Sequence, residues 1–335
     1  MSERYVKLQK EENWDDGGDD NLDSQYLKVA DVDMQTEQEF DEIEEANRET
    51  LEESYIVQRT GGGSFSMWGR ADELGLILYA LFGKCEIVDI GTQGEEPYQL
   101  NFEPDMQEIF SLAMTEGKDK MAYKYSGQMI QSITITAEIG ETMTVEVDTF
   151  GNGAVTEAKE DPNYVSPQEN PVFTLKNAEI KLGNDERTDL QSITITIENN
   201  ISEDEHTLGS LDIQEMPPGQ RRNVEIDLEF RSEDDEIFDD FINGTTAELI
   251  TEFQTDQEIE SGYPYGFKLI FPRIQYREVD QGISGRDPIR ASVPARALYD
   301  QDVEYDQGDG QTETANAEVI ATLTGTKTGT LTDSV

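Results

Sequence analysis

The side chains most often used for catalysis are scarce or unpartnered in this chain. Its one histidine, His206, follows Asn199 and Asn200 in an acidic stretch that reads as a loop. Triads and metal sites built on imidazole need further partners, and the surrounding sequence offers none. His206 is therefore expected to be a solvated loop residue. No Walker loop, dinucleotide glycine fingerprint or nucleophile elbow is present. Gly61, Gly62 and Gly63 precede a strand instead of a helix, so they lack the helix N-terminus that holds a phosphate and read as a flexible bend. Asp302, Glu304, Asp306 and Glu313 fall at positions 1, 3, 5 and 12 of an EF-hand loop. Gln307, however, occupies the place where the sharp turn needs glycine, and the flanks read as strands, so a solvated hairpin loop is expected. Arg221 and Arg222 form the densest cationic spot, too small for a tight grip on phosphates. Carboxylates are so numerous that chance pairs are certain, and no acid/base pair stands out. No catalytic, cofactor-binding or metal-binding residue is assigned, no cofactor is expected, and the chain is read as a non-enzyme.

Charge dominates the composition. Asp and Glu number 73 against 25 Lys and Arg, a formal net charge of -48 over 335 residues. Self-repulsion on that scale strains a compact fold in dilute salt, but at molar salt the Debye length falls to about 3 Å and the repulsion is largely screened. Acid spread along the whole chain is what adaptation of an entire surface to brine produces, which implies a halophilic host. The alternatives are a DNA-mimic surface and an acidic disordered protein. Disorder is opposed by a hydrophobic fraction of 35% that includes 13 Phe and 13 Tyr. Cys85 is the single cysteine, which excludes an intrachain disulfide, and it is expected to be a small buried residue following a helix. Residues 1–16 carry charges of both signs without an apolar signal core. No stretch approaches the roughly 20 apolar residues of a membrane helix. Synthesis in a cytoplasm without membrane insertion is the expectation.

The elements that must carry this surface are short alternating runs bounded by Gly, Asn, Asp and Pro, the mark of strands. The clearest are 131–137, 142–147, 191–197, 223–230 and 267–271. Ile133 and Ile135 alternate with Thr, which gives that strand one buried and one wet face. Two segments read as helices. Residues 72–82 place Leu74, Ile77, Leu78, Leu81 and Phe82 on one stripe and stop at Gly83. Residues 233–243 follow Ser232 as N-cap, bury Ile237, Phe238, Phe241 and Ile242, and stop at Gly244.

Each helix is preceded by a short alternating strand and an arginine. Phe65, Met67, Arg70 and Gly83 match Ile226, Leu228, Arg231 and Gly244 at a constant spacing of 161 residues. Tyr98, Leu100 and Phe102 resemble Phe267, Leu269 and Phe271 at a slightly larger spacing. These matches predict an internal duplication. The expected organisation is an acidic N-terminal arm at 1–52, a first module at 53–153, and a linker at 154–171 containing Pro162, Pro167 and Pro171. A second module at 172–326 and a tail at 327–335 complete it. The arm lacks the apolar content to fold alone and is expected to dock on neighbouring subunits.

Gly61 to Gly83, with Gly63, Ser64 and Phe65 leading to the helix that begins near Asp72, resembles the opening of the major tail tube proteins of long-tailed phages and archaeal viruses. The similar order continues through the following motifs. Tyr125, Ser126 and Gly127 stand as a turn before a strand, and an aromatic-led segment runs from Phe173 to Leu182. A strand ends at the paired Asn199 and Asn200, and a longer one runs from Gly219 to Phe230. A short acidic helix follows, and then an apolar turn at Leu269 to Pro272. The resemblance covers about residues 55–326; the arm and the general acidity depart from it.

The resemblance implies a mainly β fold of two tail-tube-type β-sandwich or split-barrel modules, each with one short flanking helix. It implies a virion structural protein, the siphovirus-like major tail tube subunit, stacked in rings that form the channel for ejection of viral DNA. Other tail proteins would sit at the tube ends, and double-stranded DNA would pass without specific binding along an acidic lumen. Single-module tube proteins of this kind close rings as hexamers, so a two-module chain implies a trimer with pseudo-sixfold symmetry, the hexamer remaining the alternative. Other readings are a tube initiator or baseplate-proximal component and an acidic all-β surface or carbohydrate-binding module. The latter is opposed by the presence of only Trp14 and Trp68.

Overall fold

The computed structural model describes residues 4–18, 24–43, 53–91, 97–118, 121–159, 170–183, 185–203, 205–231, 235–278, 291–308 and 310–326. In chain order the elements are β1 (Arg4–Lys10), β2 (Ser24–Leu27), β3 (Val29–Ile43), β4 (Glu53–Trp68), α1 (Ala71–Phe82), β5 (Gly83–Asp89), β6 (Tyr98–Pro104) and β7 (Leu112–Lys118). They continue with β8 (Met121–Glu138), β9 (Thr144–Asn152), β10 (Val155–Lys159), β11 (Ala178–Leu182), β12 (Asp185–Glu186), β13 (Leu190–Glu198) and β14 (Asn223–Phe230). The last are α2 (Asp235–Asn243), β15 (Thr246–Glu260), β16 (Tyr263–Tyr276), β17 (Ala291–Ala297), β18 (Asp300–Asp306), β19 (Thr312–Ala317) and β20 (Ile320–Gly325). The protein is mainly β, and among the described residues the strand pairing is antiparallel and there are two short α-helices.

The strands form two arrays. The front array runs β3-β4-β9-β8-β13-β14-β17, each hydrogen-bonded to the next. The back array runs β5-β6-β20-β16-β15-β11-β12. β16 joins them: its last residues, Ile274 to Tyr276, pair with β17. Its register against β15 shifts by one residue between Phe271 and Ile274, around Pro272. Proline cannot donate to a ladder and is tolerated at a bulge, so the expected apolar turn is a bend inside one strand. β1, β2 and β7 extend the first half of β8.

One apolar core serves both arrays and draws on both halves of the sequence. α1 packs on β8 in front and on β6 and β20 behind. It is buried around nearly its whole circumference, Leu76 and Ala80 as well as Leu74, Ile77, Leu78, Leu81 and Phe82. The single stripe expected from the sequence is therefore too narrow a reading, since a helix apolar on all sides is a core helix. α2 differs. Ile237 is buried, but Ile242 is 63% exposed, contrary to expectation. Ser232 and the side chain of Phe238 lie outside the described residues.

The 1–52 segment does not behave as a separate arm over its described part. β1 pairs with β7 and β2 with β1, and Val6, Leu8 and Leu27 belong to the core. Three or four apolar residues suffice when the partner sheet already supplies the rest of the burial, which local composition cannot reveal. Residues 155–159 of the expected linker form β10 against β8, Pro162 and Pro167 lie outside the described residues, and so does the tail at 327–335. Gly61, Gly62 and Gly63 are no flexible bend but lie inside β4, between β3 and β9. A Cβ on Gly62 would overlap the carbonyl oxygen of Thr149, so these glycines permit close strand approach. Tyr125, Ser126 and Gly127 likewise lie within β8, where Gly127 has φ +61°.

Candidate functional site

The front array has two opposite faces. Along one row Met67, Val145, Ile135, Ile195, Ile226 and Ala295 stand side by side across six strands, and all are buried. The neighbouring row, displaced by one residue, runs Asp31, Ser66, Glu146, Thr134, Thr196, Glu225 and Arg296. Alternation thus turns the first row inward and the second outward. A further outward row holds Asp33, Ser64, Asp148, Ser132, Glu198 and Asn223.

Hydroxyl and carboxylate groups cross-link this face. Ser132 Oγ donates to Asp148 Oδ2 at 2.7 Å, Ser192 Oγ to Glu229 Oε2 at 3.2 Å, and Thr134 and Thr196 share a hydroxyl contact of 3.2 Å across the β8–β13 seam. Asp31, Asp33, Glu146, Glu225 and Asp227 are exposed, while in these rows Arg296 is the one cation among the described residues. The result is a smooth anionic wall, rich in short side chains.

The residues considered from the sequence fall elsewhere. His206 is partly buried, its Nε2 3.3 Å from the carbonyl oxygen of Arg59, so it is docked on β4 instead of solvated. The loop from Asp302 to Glu313 forms the β18–β19 hairpin. It is less solvated than expected, because Val303 and Tyr305 pack with Ile270 and Ile320 on the outer side of the back array. Tyr305 donates to Glu103 Oε1 at 2.6 Å, and burial and this carboxylate hold the phenol well above its ordinary range. Among the described residues no group of three or more His, Cys, Asp or Glu is placed to hold a metal. Cys85 is partly buried beside the core.

Arg222 is the residue most misjudged by sequence. It is buried, and its guanidinium binds Asn199 Oδ1 at 2.8 Å, the Leu81 carbonyl at 2.8 Å and Glu318 Oε1 at 3.3 Å. Burial lowers its pKa, opposed by Glu318. Asn199 also donates to the Leu81 carbonyl, at 2.9 Å. Together they cap the C-terminus of α1, whose last carbonyls carry partial negative charge. Its charge is therefore unavailable to a nucleic acid. The Asn199–Asn200 pair that follows β13 was a sequence signal pointing here. At the other end of α1, Asp72 accepts from the Thr326 amide at 2.8 Å and from Asn170 at 2.6 Å.

Glu11 and Glu73, not singled out in the sequence, are buried. Glu11 accepts from Ser111 Oγ at 2.5 Å and from the amides of Gly127 and Gly17 at 3.1 Å; burial raises its pKa, and these bonds only partly offset that. Glu73 is raised by burial too, against the opposing charge of Arg70.

A broad face of hydroxyls and carboxylates backed by one apolar core defines a β scaffold with an extended polar wall. Residues 35–297 match the sequence model of the family described as phage tail tube protein, and the chain belongs to that family. It is thus a structural component of the virion tail, of a kind that assembles into a tube. No curated protein matches the chain. No helix among the described residues is long and apolar enough to cross a membrane.

Proposed function

We propose that this chain is the major tail tube subunit of a siphovirus-like virus with a halophilic host, and that stacked rings of it enclose the channel for ejection of double-stranded DNA. The observation that carries this reading is the outward face of the front array, continuous over seven strands and lined by hydroxyls and carboxylates. DNA carries one negative charge per about 1.7 Å of axis, so an anionic wall offers it no place to stick and binds it without specificity or not at all.

The ring holds three chains in pseudo-sixfold symmetry, each chain filling two of six places with its two modules, 53–153 and 172–326. This rests on the 161-residue repeat and on its strand registers. Phe65 lies opposite Val147 as Ile226 lies opposite Ala295, and Met67 opposite Val145 as Leu228 opposite Val293. Stacking of rings is supported by apolar side chains at both ends of β4: Phe40 and Tyr55, at the far end of the β3–β4 hairpin, are 52% and 53% exposed, and Trp68 is exposed at the other end. Other tail proteins meet the tube at its ends.

Electron microscopy of the purified protein in molar salt tests the proposal. Tubes or rings with three chains per turn are expected. Six chains per ring, each giving one module to the wall, would remove the trimer, and a strictly monomeric particle would remove the tube subunit itself.

A further inference from the structure

The outer side of the back array, turned away from the core and from the front array, is only partly covered. By strand register three rows of side chains cross it. Ile250, Ile270 and Ile320 form the first, and the β18–β19 hairpin covers it. The second holds Glu252, Lys268, Thr322 and Asn101, and the third Gln254, Gly266, Thr324 and Gln99. The third row lacks one side chain, at Gly266. Every other glycine inside a described strand either would bring a Cβ within 2.4 Å of a neighbouring atom or, at Gly127, holds a positive φ. A Cβ on Gly266 would meet nothing closer than Thr324, at 3.5 Å, an ordinary contact. The fold has room for a side chain there, and glycine in a strand interior weakens the strand. What this glycine keeps open is a trough of about 260 Å³, between the tip of the β18–β19 hairpin at Asp306 and Gly308 and the β15–β16 turn at Gly262.

Both walls of the trough are fixed in advance. Gln99 Nε2 donates to the Asp306 carbonyl at 2.8 Å and to Asn101 Oδ1 at 2.9 Å, which holds the hairpin tip on β6. Gln254 Nε2 donates to Glu252 Oε1 at 2.7 Å, and Lys268 Nζ lies 3.7 Å from Glu252 Oε2. That carboxylate and ammonium offset each other, and Asp306 Oδ1 accepts from the amide of Gly308 at 2.8 Å. The lining is therefore polar without a strong net charge, made of amides, threonine hydroxyls and one ion pair that together donate and accept. Tyr263, 37% exposed, and Pro264 add a flat apolar surface. A small cleft that combines a few fixed polar groups with an aromatic surface suits a neutral molecule with many hydroxyls and one C–H face. We propose that this trough binds a single neutral pyranose unit of a glycan. Its hydroxyls meet Gln254, Glu252, Thr324 and Lys268, and its ring lies against Tyr263 over Gly266. The site is separate from the anionic wall and adds a binding function to the outer surface of the subunit.

Saturation-transfer NMR on the full-length subunit in molar salt tests this with the methyl glycosides of glucose, galactose, mannose and N-acetylglucosamine. At least one should bind saturably in the millimolar range. Gly266→Thr fills the trough with a side chain suited to a strand, and should weaken that binding about tenfold or more while the thermal midpoint stays level or rises. Tyr263→Ala, at a partly exposed ring, should weaken it similarly, and decides the matter if the threonine variant fails to fold. Binding of none of the four glycosides, or binding unchanged in either folded variant, would overturn the proposal. Saturable binding of inorganic phosphate in place of the glycosides would overturn it too, making Lys268 the centre of an anion site. Because the subunit is tested free, the outcome is independent of whether it forms tubes.

Discussion

Arg222 Nη2 donates to the carbonyl of Leu81 at 2.8 Å, joining a residue at the start of β14 to the last turn of a helix 141 positions earlier. This contact, with its partner Asn199, fixes the central helix to the seam strand β13. Removing one member of a buried charged network strands the others, which costs about 3–5 kcal/mol. Arg222→Ala should lower the urea midpoint accordingly. Arg222→Lys should recover little, because a single ammonium cannot reproduce the fork that meets Asn199, Leu81 and Glu318 at once. Full stability of the lysine variant would show that charge alone matters there.

The unequal burial of the two helices gives a paired test. Leu78→Ala removes a fully buried side chain of α1 and should cost about 2–5 kcal/mol. Ile242→Ala, on the exposed side of α2, should stay within about 0.5 kcal/mol in the free subunit. Equal losses in chemical denaturation would contradict the burial described above.

Deletion of residues 1–27 should unfold the protein instead of merely blocking assembly, because Val6, Leu8 and Leu27 sit in the core. A truncated chain that keeps its cooperative thermal transition would mean that β1 and β2 are dispensable.

Glu11 gives a pH signature. Its folded pKa is raised from 4.5 by burial. The stabilisation linked to its proton is thus complete below the unfolded value and is lost as pH rises through the folded one. Glu11→Gln lacks this step. The difference in denaturation midpoint between wild type and variant should therefore shift in the variant's favour as pH rises from about 4 toward neutrality, at fixed high salt. A difference that is flat with pH would show that Glu11 titrates as in the unfolded chain.

The net charge of -48 predicts folding that depends on salt. Circular dichroism should show loss of β structure as salt falls from molar to millimolar, where neighbouring carboxylates repel without effective screening. Unchanged spectra down to millimolar salt would remove the halophilic reading.

Period-two alternation in 131–137, 191–197 and 223–230 was enough to fix those strands and their two faces, because a pleated strand leaves no other way to bury Ile133, Ile195 and Ile226 while wetting Thr134, Thr196 and Glu225. Both helices and the constant 161-residue spacing were legible for the same reason: their signals are local. The tertiary structure alone decided which strands are neighbours, and with that the anionic face, since its rows are assembled from strands far apart in sequence. It also decided that Leu8 and Leu27 belong to the core, that α1 is covered on every side, and that Arg222 is a helix cap and not a surface cation. Each depends on what a distant segment brings to the contact, and burial by a distant partner leaves no periodic trace in the residues it covers.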